Sequence, residues 1–363
     1  MKSSPKTPTS RKAYLGLDIH SATTVLVVLN QTGQRLSTRR FGTTGHNLIE
    51  AVKAVRATDK HVVLEETPMS HWAVELLRPH CQRVVSCDAK QNRWIARNPQ
   101  KNDETDAERL AELLRLGRLK EVFHTRDTDR FAFKGAVQHY LDVQQDRIRA
   151  KNKIKALFKR VGLPSITGPG VFNQKQRKVI LELVPPGAWR LALERRYRHY
   201  DHLHAEAREA LKEVEQLGRS YWEVAEFLKI PGVGPVTAHS VSAFLQTPHR
   251  FKDKSALYRY AALSITDRSS DNKPLGFQRL ERGHGCVELK RASYHAWLAA
   301  TAARNDNEVK TWFLRHLESN GYQQKRSRLA TQRKLLATMW ALWLHRTTYD
   351  PERFAYHRSQ SKA

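Results

Sequence analysis

The sequence is short of cysteine. Its three, Cys81, Cys87 and Cys286, are an odd number with no CxxC pair and no accompanying histidine motif, so neither a disulfide framework nor a zinc finger is supported, and the thiols read as reduced. No apolar run approaches the ~18 residues that a membrane span requires, and there is no signal-peptide core. A cytoplasmic protein with no membrane partner is the expectation. Acid is scarce too: 36 Asp and Glu stand against 63 Lys and Arg, a formal net charge of +27 over 363 residues. A chain so basic expects a polyanion, and because its cations are dispersed rather than gathered in one tail, they suit folded surfaces that follow a phosphate backbone.

The charge does not mean disorder. Forty per cent of the residues are apolar, with eight Trp and twelve Phe spread along the chain, enough to build cores. At roughly 100–200 residues per domain, two or three domains are expected. Residues 1–12 read as a disordered basic arm. From Ala13, the runs AYLGLDIH, TTVLVVLN and RLSTRRF alternate with short polar turns and predict three strands in an antiparallel meander. A helix around Asn47–Ala57, a buried strand at HVVLEET, a helix near Ser70–Leu77, a strand at Arg83–Cys87 and a long helix from about Asn102 follow. This order predicts an α/β domain with a mixed sheet, residues 13–160, compatible with an RNase H-like fold.

The Gly- and Pro-rich loop Gly162–Gly170 marks a boundary. Residues 161–220 form a charged helical segment whose apolar positions Leu191, Leu193, Tyr197, Tyr200, Leu203, Ala207, Leu211, Val214 and Leu217 recur three or four apart; it reads as an exposed, coiled-coil-like arm pairing with a second copy of itself, or else as a plain surface helix. A mainly helical domain at 221–348 and a tail at 349–363 complete the chain.

Two signals carry chemistry. Asp18, in GLDIH, and Glu65, in LEET, lie at the ends of predicted strands; if those strands are neighbours, both carboxylates emerge on one sheet edge. Asp103 and Asp106, in NDETDA, are three apart at a helix start and share a face, where capping and the helix dipole are an alternative role. Together the four supply oxygen ligands for two Mg²⁺ ions about 4 Å apart, with Mn²⁺ as a substitute. The second signal is IPGVGPVTA, a helix-hairpin-helix pattern in which Gly232 and Gly234 let the backbone turn and approach a phosphate; a purely structural hairpin is the alternative. Downstream, Ser264–Gly285 reads as a loop or hairpin bearing Ser269 and Ser270, and Lys254, Arg268 and Lys273 are candidate nucleic-acid contacts. A loop serine is ordinarily a turn residue, although one among cations can act as a nucleophile on a phosphodiester.

These motifs together resemble the DEDD transposases of bacterial insertion sequences, the IS one-ten family, over most of the chain. GLDIH, LEET and NDETDA resemble the acidic positions of that family's RuvC-like domain. The resemblance implies metal-holding roles for Asp18, Glu65, Asp103 and Asp106, with Thr67 setting the register in favour of Glu65 over Glu66. IPGVGPVTA, RF and DRSSDNK resemble, in order, its transposase domain, which implies Ser270 as nucleophile with Ser269 the alternate. It further implies strand exchange through a serine–DNA intermediate, a structured guide RNA and a homo-oligomer. Two other readings stand beside it: a RuvC-like, structure-selective DNA endonuclease using metal-activated water, and a non-catalytic nucleic-acid-binding scaffold.

Overall fold

The computed structural model describes residues 10–88, 102–270, 273–280 and 285–355, and the side chains of all of these except 10–11 and 266–280. Most of the basic arm and of the tail lie outside the described residues. The chain divides into two compact units, Met1–Arg126 and Asp127–Ala363.

The first unit is built on a mixed sheet in the order β3-β2-β1-β4-β5-β6. Its strands are β1 (Ser10–Ile19), β2 (Thr23–Leu29), β3 (Arg35–Gly42), β4 (Ala57–Glu65), β5 (Arg83–Cys87) and β6 (Glu121–Val122). β1, β2 and β3 form the antiparallel meander, while β4 joins β1, and β5 joins β4, in parallel. This is the RNase H-like arrangement that the strand pattern predicted. Period-two alternation explains how one strand serves two layers. Ala13, Leu15, Leu17 and Ile19 turn to one face, where α1 (Gly45–Lys53) and α2 (Ser70–Leu77) contribute Leu48, Val52, Val74 and Leu77. The opposite face takes α3 (Asp103–Arg115), whose Ala107, Leu110, Ala111 and Leu114 pack on Val25, Val27, Val63 and Cys87. Asn102 caps α3, its side chain accepting from the Glu104 N–H at 3.3 Å.

The second unit is mainly helical. Its long helices α4 (Thr128–Arg160) and α6 (Ala188–Gly218) run antiparallel, since His139 meets Glu206 while Arg160 lies over Trp189. The apolar stripe of α6 is present as read from the sequence, but its partner is within the chain. Leu193, Tyr197 and Tyr200 pack on Ala150, Ile154, Leu157 and Phe158 of α4, and Ala210 and Val214 enter the main core beside Val137 and Tyr140. α4 covers most of this stripe, while Leu191 and Leu217 within it remain exposed. Short α5 (Gln174–Glu182) lies between the two in sequence.

Beyond α6 come α7 (Trp222–Phe227), α8 (Pro235–Leu245), α9 (Lys254–Tyr260), the hairpin β7 (Ile265–Ser270) with β8 (Lys273–Leu280), then α10 (Val287–Ala302), α11 (Glu308–Ser319), α12 (Gln324–His345) and α13 (Pro351–Ala355). One buried charge pair ties the start of α4 to this bundle. Arg130 donates to the fully buried Glu223 at 2.9 Å, Ser242 donates to the same oxygen at 2.6 Å, and the guanidinium lies over the Tyr221 and Trp343 rings. A carboxylate so deeply buried is tolerable only with such partners.

Candidate active site

Strand alternation turns Tyr14, Gly16 and Asp18 toward α3. Gly16 is essential to the geometry of this edge, because a Cβ there would lie 1.8 Å from the Ala107 carbonyl oxygen. Only glycine lets the α3 backbone rest directly on β1, and this close approach brings the first turn of α3 up to Asp18. As a result, ligand atoms of Asp18, His20 and Asp103 all lie within 4.8 Å of one another. His20 Nε2 is 3.2 Å from Asp18 Oδ2, and Arg40 of β3 pairs with Asp103 at 2.9 Å. Asp106, next along the same face, pairs with Arg109 at 3.7 Å. Burial raises the Asp18 carboxyl above its ordinary value; the nearby Asp103 and Asp106 charges raise it further, and His20 opposes them.

Glu65 ends β4. The parallel register pairs Leu17 with Leu64, which sets Glu65 level with Asp18 on the neighbouring strand, and Val63 two residues earlier faces α3. Glu65 thus belongs to the face that carries Asp18. Its carbonyl accepts from Ser70 Oγ at 2.8 Å, and Ser70 in turn accepts from the Thr67 N–H at 2.7 Å, fixing the strand end. Glu66 goes elsewhere: its carboxylate accepts from Ser86 Oγ at 2.6 Å and lies 3.0 Å from His124 Nε2. The close three-residue group contains neither Glu65 nor Asp106, and it contains His20, which sequence reasoning missed. The signal was present, since His20 follows Asp18 by two residues, the spacing that returns a side chain to the same side of an extended chain.

In the second unit the predicted hairpin is formed, and Ser270 pairs with Lys273 on its last rung, with Ser269 opposite Pro274. The side chains of Arg268, Ser269, Ser270 and Lys273 lie outside the described residues, as does Asp271. Ile230–Gly234 connects α7 to α8 in the predicted helix-hairpin-helix. Its two glycines do different work. Gly232, at φ +84°, has no room for a Cβ, which would sit 2.2 Å from the Ala296 carbonyl of α10; Gly234 caps α8 facing open space.

A transposase family model carrying the DEDD signature matches residues 15–162, and a model described as the transposase IS116/IS110/IS902 family matches residues 224–312. The chain belongs to the IS110 family of transposases. No curated protein matches it. The transposase therefore acts on DNA as a recombinase, and the acidic cluster in its first unit suits the divalent-metal use of a DEDD enzyme. Two carboxylates and an imidazole are a reasonable donor set for such an ion, and the part that Asp103 and Asp106 play in raising the Asp18 carboxyl reflects the crowding of negative charge there. No helix among the described residues of the transposase is long and apolar enough to cross a membrane.

Of the remaining candidates in this transposase, Lys254 opens α9 and lines a hollow of about 670 Å³ together with Trp312, Arg333 and Lys334. Burial, and secondarily the charge of Lys254, pushes the Lys334 ammonium down to about 8.

Proposed function

We propose that this transposase cleaves and rejoins DNA strands in a Mg²⁺-dependent reaction, with Ser270 as the nucleophile, or Ser269 in its place, and with a structured noncoding RNA as guide. The observation that carries the metal half is the convergence of Asp18, His20 and Asp103 within 4.8 Å at the edge of the RNase H-like sheet. Asp18, Glu65, Asp103 and Asp106 are the proposed holders of the ion, with His20 beside them and Mn²⁺ as a substitute ion. Bound there, a divalent cation supplies charge stabilisation to a phosphate that passes through a pentacovalent state.

In the covalent step the serine hydroxyl loses its proton and an Oγ–P bond forms. The P–O bond to the leaving deoxyribose breaks, and that oxygen takes up a proton. Rejoining is the reverse with a different deoxyribose oxygen, so the phosphodiester energy is conserved. In this reading residues 13–160 hold the metal, 161–220 are the helical arm and 221–348 carry the nucleophile. Lys254, Arg268 and Lys273 take phosphates, Gly234, with open space where a side chain would stand, lets the backbone at the start of α8 approach one, and Gly232 sets the preceding turn. The guide RNA and a homo-oligomer rest on the family resemblance, and a net charge of +27 suits two polyanionic partners.

Trapping the protein on element-end DNA and resolving it under denaturing conditions tests the serine. A covalent adduct that requires Mg²⁺ and is lost in Ser270→Ala is expected; an adduct surviving the Ser269→Ala/Ser270→Ala protein sinks the proposal. The acidic cluster also favours a second reading on its own, a RuvC-like endonuclease in which water is the nucleophile. Free 5′-phosphate ends without an adduct or a rejoined strand would establish it.

A further inference from the structure

α10 and α12 lie side by side, bridged by Gln332, whose amide donates to the Lys290 carbonyl and to Ser293 Oγ, both at 3.4 Å. Between them is a hollow of about 590 Å³ whose cationic lining is Lys290 and Arg291 from α10 and Lys325, Arg326 and Arg328 from α12; no acid lines it. None of the five has an ion-pair partner among the described residues. Arg328 lies over the Tyr294 and Trp297 rings at 5.5 and 5.8 Å, and its Nε is buried without a hydrogen-bond partner. Two of these cations, Lys325 and Arg326, lie in the first turn of α12, which holds no acid. That is the wrong sign for the helix dipole, and an anion there would suit it.

An aromatic beside five unpaired cations fits an extended polyanion rather than a single small ion, which one or two of them would satisfy. The hollow is also placed at the root of the hairpin, since Ile265, the first residue of β7, lines it. We propose that the groove between α10 and α12 seats the sugar–phosphate backbone of the DNA that reaches this hairpin. The choice of DNA over RNA rests on reading Ser270, at the other end of β7, as the nucleophile.

Binding of a 30-base-pair duplex of arbitrary sequence to the full chain tests this. It is best measured in the Ser269→Ala/Ser270→Ala background, so that binding is read without the covalent step. Each phosphate contact contributes a slope of about −0.9 to log K against log salt. Lys290→Gln/Lys325→Gln/Arg326→Gln is therefore expected to flatten that slope by about 2.7 and to weaken binding up to roughly 500-fold near 0.1 M salt. The exposed triple Lys175→Gln/Lys178→Gln/Lys212→Gln removes the same charge elsewhere and should change the slope by less than one. Equal effects from the two triples, or an unchanged slope in the first, overturn the proposal. Flattening for a structured RNA of similar length but not for DNA assigns the groove to RNA and overturns it equally. Lysine acetylation of the unsubstituted protein needs no variant: DNA should protect Lys290 and Lys325 but not Lys175 and Lys178, and reactive Lys290 and Lys325 on bound DNA would refute the groove. If no serine adduct forms in the parent protein while these results hold, the groove stands and the nucleophile reading alone fails.

Discussion

The acidic edge of the first unit and the basic groove of the second are both clusters of like charge, yet they are held in different ways. Around Asp18 the acids are partly answered from within: Arg40 pairs with Asp103, Arg109 with Asp106, and His20 with Asp18. The five cations of the groove have no such partners among the described residues, and they sit on two helices instead of on sheet and helix packed backbone to backbone. A centre that must fix a small ion within tenths of an ångström has to be preorganised. A surface that follows a backbone of many phosphates needs density of charge more than exact placement, and its energy comes from released counterions.

The largest expected effect comes from breaking the acidic side at its centre. Asp18→Asn should leave the fold intact and lower strand cleavage about a thousandfold, the rate equivalent of roughly 4 kcal/mol of lost charge stabilisation. A single-turnover cleavage assay decides it, and a loss below tenfold would remove Asp18 from the centre. Next comes the packing that makes the edge possible. Gly16→Ala forces a Cβ into the Ala107 carbonyl and must displace α3; overpacking of this kind costs about 1–3 kcal/mol. Thermal melting should show that loss, accompanied by weaker Mn²⁺ binding, whereas Ala at the exposed Gly117, which has open space around it, should leave Mn²⁺ binding unaltered even though its φ of +65° is strained.

A finer test compares the two signs of charge by pH. In the metal-free protein Asp18 is held neutral to higher pH than in the unfolded chain, so folding takes up protons there and stability falls as pH rises through that range. Asp18→Asn should therefore melt higher than the parent at neutral pH, with the difference shrinking in acid and reversed by added Mg²⁺. Lys334 runs the other way. Its folded value of about 8 lies below its ordinary 10.5, so the unfolded chain binds more protons between those values and stability rises with pH across them. Lys334→Met should be stabilising at pH 7 and lose that advantage by about pH 10.5, as followed by denaturant melts. This is the smallest of the effects, and an advantage that grows above pH 8 would contradict the burial that depresses the lysine.

Much of the first unit was legible in advance because each strand reports itself locally. The meander, the strand Arg83–Cys87 and the capped helix beginning at Asp103 follow from alternation, turns and capping, all decided within a few residues. The acids were legible as types at strand and helix ends. The groove was not, since Lys290 and Lys325 are far apart in sequence and each alone reads as a solvated charge on a helix. The stripe of α6 shows a third case. Periodicity revealed that the helix has an apolar face, but an apolar face does not name its cover, and α4 was as good a candidate as a second copy.

By itself, then, the sequence determined the polyanionic partner, the mixed RNase H-like sheet, the four acids as candidates and a loop or hairpin bearing Ser269 and Ser270. These depend on composition and on short-range pattern. The tertiary structure alone decided that His20 and Asp103 join Asp18, that Glu66 turns away to Ser86 and His124, that Gly16 and Gly232 are contact points for neighbouring backbones, and that α6 is covered from within. Apart from the His20–Asp18 contact, which is local, each of these is a distance between segments remote in sequence, and such distances are set by packing.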